Sequence, residues 1–414
     1  MPAKYLSTYR SINPRSLTLQ TKTGLLCLAR THVFLMLGLS LCGCASPEPP
    51  KVGEPVANLT SAQRAQFEEG KKVFERVFKP QTGLGPLFNS FSCAECHEAP
   101  VLGGGGDEIE IHAARVTPSD GCDDLFQEGG PVIQQDATPL LRALGIEKEQ
   151  IPPGATAQGR RSSPPLFGLG LVDAIPESTI LAREDANDNN RDGIRGRANR
   201  TIDGRVGRFG RKAAVAALFD FNAGAFPVEM GITTPGSPVE ETINGKPVPP
   251  ETDPAPEPEI SLEDITRVNT FVRFLAPPPP RVFANPDDVN IAKRGQALFA
   301  ELKCSACHVP EMETGPNPIK ALDRKKVALY SDLMVHDMGA DLADICLSSA
   351  HPSDFRTEML MGLRFREQFL HDGSAKTVTE AIERHDGEAR SSRDKFRNLS
   401  EAEKKALLTF LDSI

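Results

Sequence analysis

The chain has 414 residues, of which 39% are hydrophobic, enough for two domains with buried cores. Its formal net charge is −9, and without the first 43 residues, which carry five basic and no acidic side chains, the remainder carries −14. A surface of that sign disfavours nucleic acids and anionic lipids as partners and suits a basic partner protein.

The first segment has the pattern of an export signal. Basic residues are followed by a short, mostly apolar run at 33–41, which is too short to cross a bilayer but is typical of a signal-peptide core. Small residues then precede Cys44, as in a bacterial lipobox, and Ala45 follows rather than an aspartate. We predict a leader at residues 1–44 and a periplasmic protein anchored by lipid at Cys44 to the outer membrane. Ordinary cleavage near Ala45 is the alternative.

The chain then passes from a linker into a helix. Residues 45–58 are rich in proline and predict a tether. Thr60 or Ser61 is expected to cap a helix, on which Gly70 and Phe74 share one face.

Two segments carry the C-x-x-C-H pattern that attaches c-type haem. Two thiols three residues apart can add to the two vinyl groups of one haem, and the adjacent histidine lies under the iron as its proximal ligand. For a single copy, a redox-active C-x-x-C or half of a zinc site is the alternative. Two copies in a chain with an export signal favour haem. We predict two covalently bound haem c groups, one on Cys93, Cys96 and His97 and one on Cys304, Cys307 and His308.

A glycine and a phenylalanine four residues later precede each haem motif, at Gly70 and Phe74 and again at Gly295 and Phe299. The pattern resembles the first helix of a cytochrome c domain, where the glycine lets another helix approach closely. Few alternating, strand-like runs occur. We expect a mainly α protein of two cytochrome c-like haem domains with long loops and little strand.

Proline-rich segments divide the chain. Residues 235–258, dense in proline, glutamate and threonine, predict a solvated insertion. The prolines at 276–280 predict a stiff connector. We therefore predict an N-terminal haem domain at 59–280 and a C-terminal cytochrome c-like haem domain at 281–414. A capping box beginning at Ser400 predicts the final helix.

Several motifs, in order, resemble the bacterial di-haem oxidoreductase family, sometimes labelled thiol oxidoreductases. They lie at 83–89, 163–173, 225–232, 330–339 and 370–373. That family is related to dihaem cytochrome c peroxidases and to the dihaem enzyme that matures methylamine dehydrogenase. The resemblance implies a first haem that reacts with peroxide and a second that relays electrons from a small donor protein of the cytochrome c or cupredoxin type. No residue that we identify supports the thiol label.

The same resemblance implies residues at the first haem. Pro-Val-Glu-Met at 227–230 matches the loop that carries the catalytic carboxylate of the peroxidases, so Glu229 is the candidate acid/base. His112, fifteen residues after His97, lies near the position of their removable distal histidine and is a candidate iron ligand. A surface position is the alternative for each side chain.

The second haem needs a sixth ligand. In the peroxidases it is a methionine that follows a His-x-Gly motif; here the motif at 371–373 is followed by His385. We predict ligation by His308 and His385, with Met361 as the runner-up. Two imidazoles hold iron at a lower potential than histidine with methionine. The chain has no tryptophan, and Arg211 takes the place of the one that related enzymes hold between their haems.

Two further features are open to more than one interpretation. Asp188, Asn190 and Asp192 offer oxygen atoms at alternate positions, which is typical of the start of a calcium loop or of a loop rich in turns. Cys122 and Cys346 remain after the haem and leader cysteines are assigned. They form either a disulfide or two buried thiols.

Two functions fit these predictions. The first is a periplasmic dihaem peroxidase-like oxidoreductase, with electrons entering at the C-terminal haem and peroxide reacting at the N-terminal one. The alternative is a dihaem electron-transfer protein without its own substrate. Glu229 favours the first function, and a permanently ligated His112 would favour the second.

Overall fold

The computed structural model describes residues 49–117 and 121–414. The predicted leader, with Cys44, and the start of the tether lie outside these residues. The α-helices are α1 (Ser61–Phe74), α2 (Cys93–Cys96), α3 (Pro139–Arg142), α4 (Leu169–Asp173), α5 (Glu177–Leu181), α6 (Leu218–Met230), α7 (Leu262–Phe274), α8 (Pro286–Glu301), α9 (Val378–Glu383), α10 (Arg390–Arg397) and α11 (Glu401–Ser413).

The strands are short except for two. They are β1 (Leu87–Phe88), β2 (Ile109–Val116), β3 (Cys122–Asp123), β4 (Val132–Ile133), β5 (Asp136–Ala137), β6 (Ala157–Ser162), β7 (Thr242–Ile243), β8 (Lys246–Pro247), β9 (Met312–Glu313), β10 (Lys326–Val327), β11 (Val335–Asp337) and β12 (Asp354–Arg356). No helix in the described part of the chain is both long and apolar enough to cross a membrane.

Capping boxes begin the first and last helices. The box at Ser400 was predicted, and at the first helix the cap is Thr60 rather than Ser61, the other candidate. The Thr60 hydroxyl accepts the Gln63 N–H at 3.2 Å, and the Gln63 side chain accepts the Thr60 N–H at 2.9 Å. At α11, Ser400 and Glu403 form the same reciprocal pair. Each box satisfies two N–H groups that the helix itself leaves unpaired, which is why the helices begin where they do.

Two helix pairs repeat one arrangement. Helix α1 packs on α7, and α8 packs on α11. Gly70 lies against the carbonyl of Arg267, and Gly295 lies against the carbonyl of Ala406. A β-carbon at either glycine would overlap that oxygen. The predicted close approach of a second helix is confirmed at both places.

A small antiparallel sheet lies in the first half of the chain. Strand β2 pairs with β6 from Ile109 opposite Ser162 to Ala114 opposite Ala157, and it also pairs with β3 and β4. The described residues are 34% helix and 14% strand. The expectation of a mainly helical protein is therefore confirmed in part, but the sheet was not predicted.

The main hydrophobic core does not stop at the predicted boundary near residue 280. It contains Phe74, Phe226 and Phe271 from one side of that boundary, and Leu329 and Met334 from the other. A second, smaller core lies between α8, α10 and α11. The division into two haem domains stays a prediction, since the larger core is built by both halves.

A disulfide joins the two halves, between Cys122 of β3 and Cys346. This settles the choice left open by the sequence, where the two cysteines stand 224 residues apart. The link holds the edge of the small sheet to the second half. A buried ion pair between Arg161 of β6 and Asp344 makes a second connection between this sheet and the same segment of the second half.

The tether prediction is wrong for its last residues. The Val56 N–H donates to the Phe274 carbonyl at 2.7 Å, and the Ala276 N–H donates to the Glu54 carbonyl at 3.0 Å. Val56 is buried in the main core. Residues 54–58 therefore pack against the end of α7 because their backbone and one apolar side chain find partners there.

The insertion at 235–258 is also less solvated than predicted. It forms the hairpin of β7 and β8, and Val248 packs into a small apolar cluster with Leu87 and Leu141. The side chains of Ser237 and Thr252 are buried as well. The composition indicated disorder, but a few buried anchors fix the segment to the first half.

Candidate haem centres

The first C-x-x-C-H motif lies on α2. Ser92 caps this short helix by accepting the Ala94 N–H at 3.0 Å. Cys93 and Cys96 are free thiols, and His97 ends the turn. The His97 Nδ1 lies 3.1 Å from the Gly104 carbonyl, so Nδ1–H donates there and Nε2 carries the lone pair that iron binds.

The second motif repeats this geometry. Cys304 and Cys307 are free thiols on a 3₁₀ turn, and the His308 Nδ1 lies 3.0 Å from the Tyr330 carbonyl. A phenylalanine of the preceding helix lies beside each histidine, with ring centroids 6.2 Å apart for Phe74 and His97 and 6.4 Å apart for Phe299 and His308. Two thiols and one oriented imidazole at each place form a donor set that fits a c-type haem.

His385 has the same orientation as the two proximal histidines. Its Nδ1 lies 2.7 Å from the Ala381 carbonyl of α9, which leaves Nε2 for a ligand. Burial, and then the charge of His385, lower the pKa of His308 to about 4. The influence of His385 on His308 is consistent with the predicted ligation, which requires the two imidazoles to lie near each other. Met361, the runner-up, is buried in the main core beside Gly168.

Three further histidines of the described residues have other surroundings. His336 is bonded at both ring nitrogens, to Asp332 and to Glu388, each at 2.8 Å, so neither nitrogen can bind iron. His371 stacks on Phe355 at 4.0 Å. His351 is exposed.

A cavity of about 940 Å³ lies in the first half of the chain and reaches residues of the second. Its polar lining includes the two side chains proposed for the first haem and several charged groups that the sequence analysis did not bring together. These are Glu110, His112, Arg161, Arg211, Glu229 and Glu358.

Glu229 is held at the end of α6 by residues of the 83–89 motif. The Glu229 carbonyl accepts the N–H of Asn89 at 2.7 Å, and the Asn89 side-chain amide donates to the Glu229 carboxylate at 3.2 Å. Burial, and then the charge of Glu110, raise the pKa of Glu229 well above its usual value. The raised pKa favours the protonated form of Glu229, which can donate a proton.

His112 and Glu110 face the cavity together because residues two apart on a strand project to the same side. Both belong to β2, and the His112 Nε2 lies 2.9 Å from the Glu110 carboxylate. Burial, and then the charge of Arg161, lower the pKa of His112. The His112 Nδ1 is buried without a hydrogen-bond partner.

Arg211 lies where the two halves meet. It donates to the Glu358 carboxylate at 2.9 Å and to the Ser162 carbonyl at 2.8 Å. Glu358 also accepts from Arg356 at 3.0 Å and from Arg366 at 2.9 Å. Burial alone would raise the pKa of Glu358, but the three guanidinium groups hold it well below its usual value.

The predicted calcium ligands accept hydrogen bonds from their own loop. The side-chain oxygen of Asp188 accepts the Gly193 N–H at 3.2 Å, that of Asn190 the Asp192 N–H at 2.9 Å, and that of Asp192 the Ile194 N–H at 3.0 Å. Calcium at this loop stays a prediction.

Sequence reasoning missed the roles of Asn89, Glu110 and Glu358. For Glu110 a signal was present, because polar and apolar residues alternate from Ile109 to His112, as on a half-buried strand. Asn89 and Glu358 act through contacts across 140 and 147 residues of sequence. Local patterns carry no information on contacts of that range.

Comparison with known proteins gives the family. Similar solved structures include a hydrazine synthase chain from Kuenenia stuttgartiensis, with 15% identity over 93% of this chain and 100% of that one and a TM-score of 0.38. A MauG-like protein associated with microbial copper homeostasis has 15% identity over 89% and 94% and a TM-score of 0.39. The diheme peroxidase BthA from Burkholderia thailandensis has 14% identity over 84% and 85% and a TM-score of 0.41. Values this low support no conclusion about activity.

Among curated proteins, no sequence matches the chain significantly. Residues 154–414 match the family described as "Di-haem oxidoreductase, putative peroxidase". Because that match covers more than half of the chain, the protein belongs to the di-haem oxidoreductase family, and it is a peroxidase-like oxidoreductase with two haems.

Proposed function

We propose that this chain is a periplasmic dihaem enzyme that reduces peroxide at its first haem with electrons received through its second. One observation carries the proposal: Glu229, a partly buried acid with a raised pKa, lines a large cavity in the half of the chain that holds the first C-x-x-C-H motif. An electron carrier needs no proton donor there.

Haem, when bound, supplies the iron that takes up peroxide and the electrons that reduce it. Glu229 would move the proton. A protonated carboxyl has one oxygen that donates and another that accepts, so it can take the proton of one peroxide oxygen while it delivers its own to the leaving oxygen. Asn89 fixes the carboxyl through its amide, and the surroundings raise the pKa of Glu229, which favours the protonated form that the step needs.

Covalent attachment is part of this proposal. Cys93 and Cys96 would bind the first haem, and Cys304 and Cys307 the second. Mass spectrometry of the mature protein should show two haem additions, and haem should stay with the protein in acidic acetone. A single addition, or haem extracted by that solvent, would contradict this part of the proposal.

His308 and His385 would ligate the iron of the second haem. The supporting observation is that both imidazoles bond Nδ1 to a backbone carbonyl and leave Nε2 for a metal. In His385→Met the second haem should gain a methionine-type absorption band and a more positive potential. Unchanged spectra would give the role to another residue.

The place and partner of the enzyme follow from the same chemistry. A disulfide between Cys122 and Cys346 and two haem attachment motifs suit an oxidising compartment outside the cytoplasm. The negative charge of the chain suits a small basic donor of the cytochrome c or cupredoxin type. Lipid attachment at Cys44 would hold the protein at the outer membrane. Electron transfer from such a donor should slow as salt is added.

Calcium at Asp188, Asn190 and Asp192 is the least supported part of the proposal. These side-chain oxygens would have to leave their N–H partners, or share them, to bind an ion. Calorimetric titration of chelator-treated protein with Ca²⁺ should give heat that Asp188→Ala removes. No heat in the wild type would remove calcium from the account.

The decisive experiment on function replaces Glu229 by glutamine. Removing a positioned acid/base costs about 10²–10⁴-fold in rate. Glu229→Gln should therefore slow haem oxidation by peroxide by about that factor, in rapid-mixing absorption measurements, with both haems still attached. Glu149→Gln is the matched control: Glu149 is a buried carboxyl whose pKa burial raises to about 9, and it lies outside the cavity.

An equal rate in Glu229→Gln and wild type would exclude Glu229 as the proton donor. If wild type itself does not react with peroxide, even after half-reduction, the electron-transfer alternative should replace the enzyme proposed here.

A further inference from the structure

The histidines of this protein use their two ring nitrogens differently. His97, His308 and His385 each bond Nδ1 to a backbone carbonyl. An imidazole held in this way turns Nε2 outward with its lone pair, which is the arrangement of a metal ligand. His112 is the reverse, because its Nε2 is bonded to Glu110 and its Nδ1 has no partner.

The bond between Glu110 and His112 is well placed to persist. The side chain of His112 is 7% exposed and that of Glu110 is 24% exposed, so little water competes for the pair. Strand β2 fixes both residues, since it is paired with β6 from Ile109 to Ala114 and with β4 opposite His112. Breaking the bond would leave a partly buried carboxylate without this donor and a buried N–H unsatisfied.

A nitrogen that donates to Glu110 cannot bind iron at the same time. The other ring nitrogen, Nδ1, stands next to the ring carbon that bears Cβ, so the histidine's own side chain and backbone would collide with a haem that Nδ1 approached. We propose that Glu110 is a positioning residue that holds His112 by Nε2 and so keeps it from ligating the iron of the first haem. The inference rests on the proposed function, because an open position on that iron is what a peroxide needs. The inference identifies Glu110 as the residue that keeps this coordination position open. It also changes the role of His112 from a predicted iron ligand to a side chain that is held away from the iron.

The test uses spin state and ligand binding, which need no peroxide. In the ferric wild type, electron paramagnetic resonance should show one high-spin haem and one low-spin haem. Glu110→Ala frees His112 Nε2, so the high-spin signal should be replaced by a second low-spin signal. The double variant Glu110→Ala/His112→Ala should recover the wild-type pattern, which a merely structural role of Glu110 would not produce.

Glu110→Gln is the conservative variant, since its side-chain carbonyl can still accept from Nε2, and it should keep the high-spin signal. Glu98→Ala removes an exposed carboxylate after the first haem motif and is the matched control. Cyanide should bind Glu110→Ala about tenfold more slowly than wild type, as expected if an endogenous ligand worth about 1.4 kcal/mol must first leave.

Three results would overturn the inference. One is an unchanged high-spin signal in Glu110→Ala that retains both haems. Another is a low-spin first haem in wild type that becomes high-spin in His112→Ala. The third result can be obtained even if Glu110→Ala fails to fold. We expect His112→Ala to bind cyanide at the wild-type rate. A rate tenfold higher or more (about 1.4 kcal/mol) would show that His112 already competes for the iron.

These results are independent of the enzyme proposal. A protein with an open, high-spin first haem that ignores peroxide would keep the role of Glu110 and lose the proposed function.

Discussion

Gly295 of α8 lies against the backbone carbonyl of Ala406 in α11, with no room for a β-carbon between them. Gly295→Ala should therefore destabilise the protein by about 1–3 kcal/mol, the usual effect of overpacking. The direction of this change in the free energy of unfolding is informative, because alanine in place of glycine within an unhindered helix stabilises a protein by about 0.4–1 kcal/mol. Denaturant unfolding of the haem-loaded protein measures the difference.

Gln296→Ala provides the control for this first prediction, since Gln296 is the next residue of α8 and is exposed. It should change the free energy of unfolding by no more than about 0.5 kcal/mol. If Gly295→Ala proved as stable as Gln296→Ala, α8 and α11 would be able to move apart with no loss in the free energy of unfolding.

Some of this arrangement could be predicted and some could not. The capping boxes and the spacing of glycine and phenylalanine are local patterns, so the sequence indicated α1, α11 and the close helix pairs. The pairing of β2 with β6 depends on residues 109–114 meeting residues 157–162. Neither strand is apolar throughout, and the Asp-Gly pair at 120–121, which is a hairpin signal, stands between β2 and β3 rather than beside β6.

The candidate site shows the same limit. The haem motifs and Glu229 could be found from short patterns, whereas the Asn89 contact and the Cys122–Cys346 disulfide join distant parts of the chain. From their composition, residues 54–58 were predicted to be part of a tether and residues 235–258 a solvated insertion. Both segments are packed more closely than that, because a few buried side chains and backbone hydrogen bonds are enough to fix a proline-rich segment.

Removal of the disulfide should weaken the connection between the halves. Replacing Cys122 and Cys346 together by serine releases a cross-link between residues 224 apart and should lower the free energy of unfolding by about 2–5 kcal/mol. Chemical unfolding of the variant, compared with wild type under oxidising conditions, measures the loss. Equal midpoints would show that the disulfide is not formed in the folded protein or does not constrain it.

The Glu358 carboxylate forms salt bridges with three arginines, so its removal should lower the stability of the protein. Its carboxylate accepts from Arg211, Arg356 and Arg366, whose side chains are 5–11% exposed. Glu358→Ala leaves their buried charges without this carboxylate and should destabilise the protein by about 3–5 kcal/mol. Thermal and denaturant unfolding measure the change.

The matched control for Glu358→Ala removes an exposed ion pair. Glu383 pairs with Arg397, and their side chains are 36% and 47% exposed. Glu383→Ala should cost no more than about 1 kcal/mol. If both variants lose the same small amount, the arginines at Glu358 are satisfied by other groups.

Stability should fall with rising pH because of a carboxylate cluster. Glu240, Asp253, Glu257 and Glu259 place their oxygens within 4.8 Å of one another. Burial, and then the neighbouring carboxylates, raise the pKa of Glu240 to about 9, from 4.5. The folded protein keeps a proton on Glu240 that the unfolded chain releases above pH 4.5. The free energy of unfolding therefore falls progressively from about pH 4.5 towards pH 9 because of this group.

Glu240→Gln should remove that penalty. Its melting temperature, measured in a metal chelator, should match wild type near about pH 4 and exceed it by a growing margin as the pH rises. Glu251→Gln, at an exposed position in the same segment, should show no such trend. A constant difference between Glu240→Gln and wild type across the range would refute the assigned titration.

The most direct test of the account is the reaction of the fully reduced wild-type protein with peroxide. Two ferrous haems hold the two electrons that one peroxide needs, and two protons complete its conversion to two waters. Anaerobic titration followed by absorption should therefore return both haems to the ferric state with one equivalent of peroxide. Haems that both stay ferrous under excess peroxide, in protein shown to carry two of them, would contradict the account.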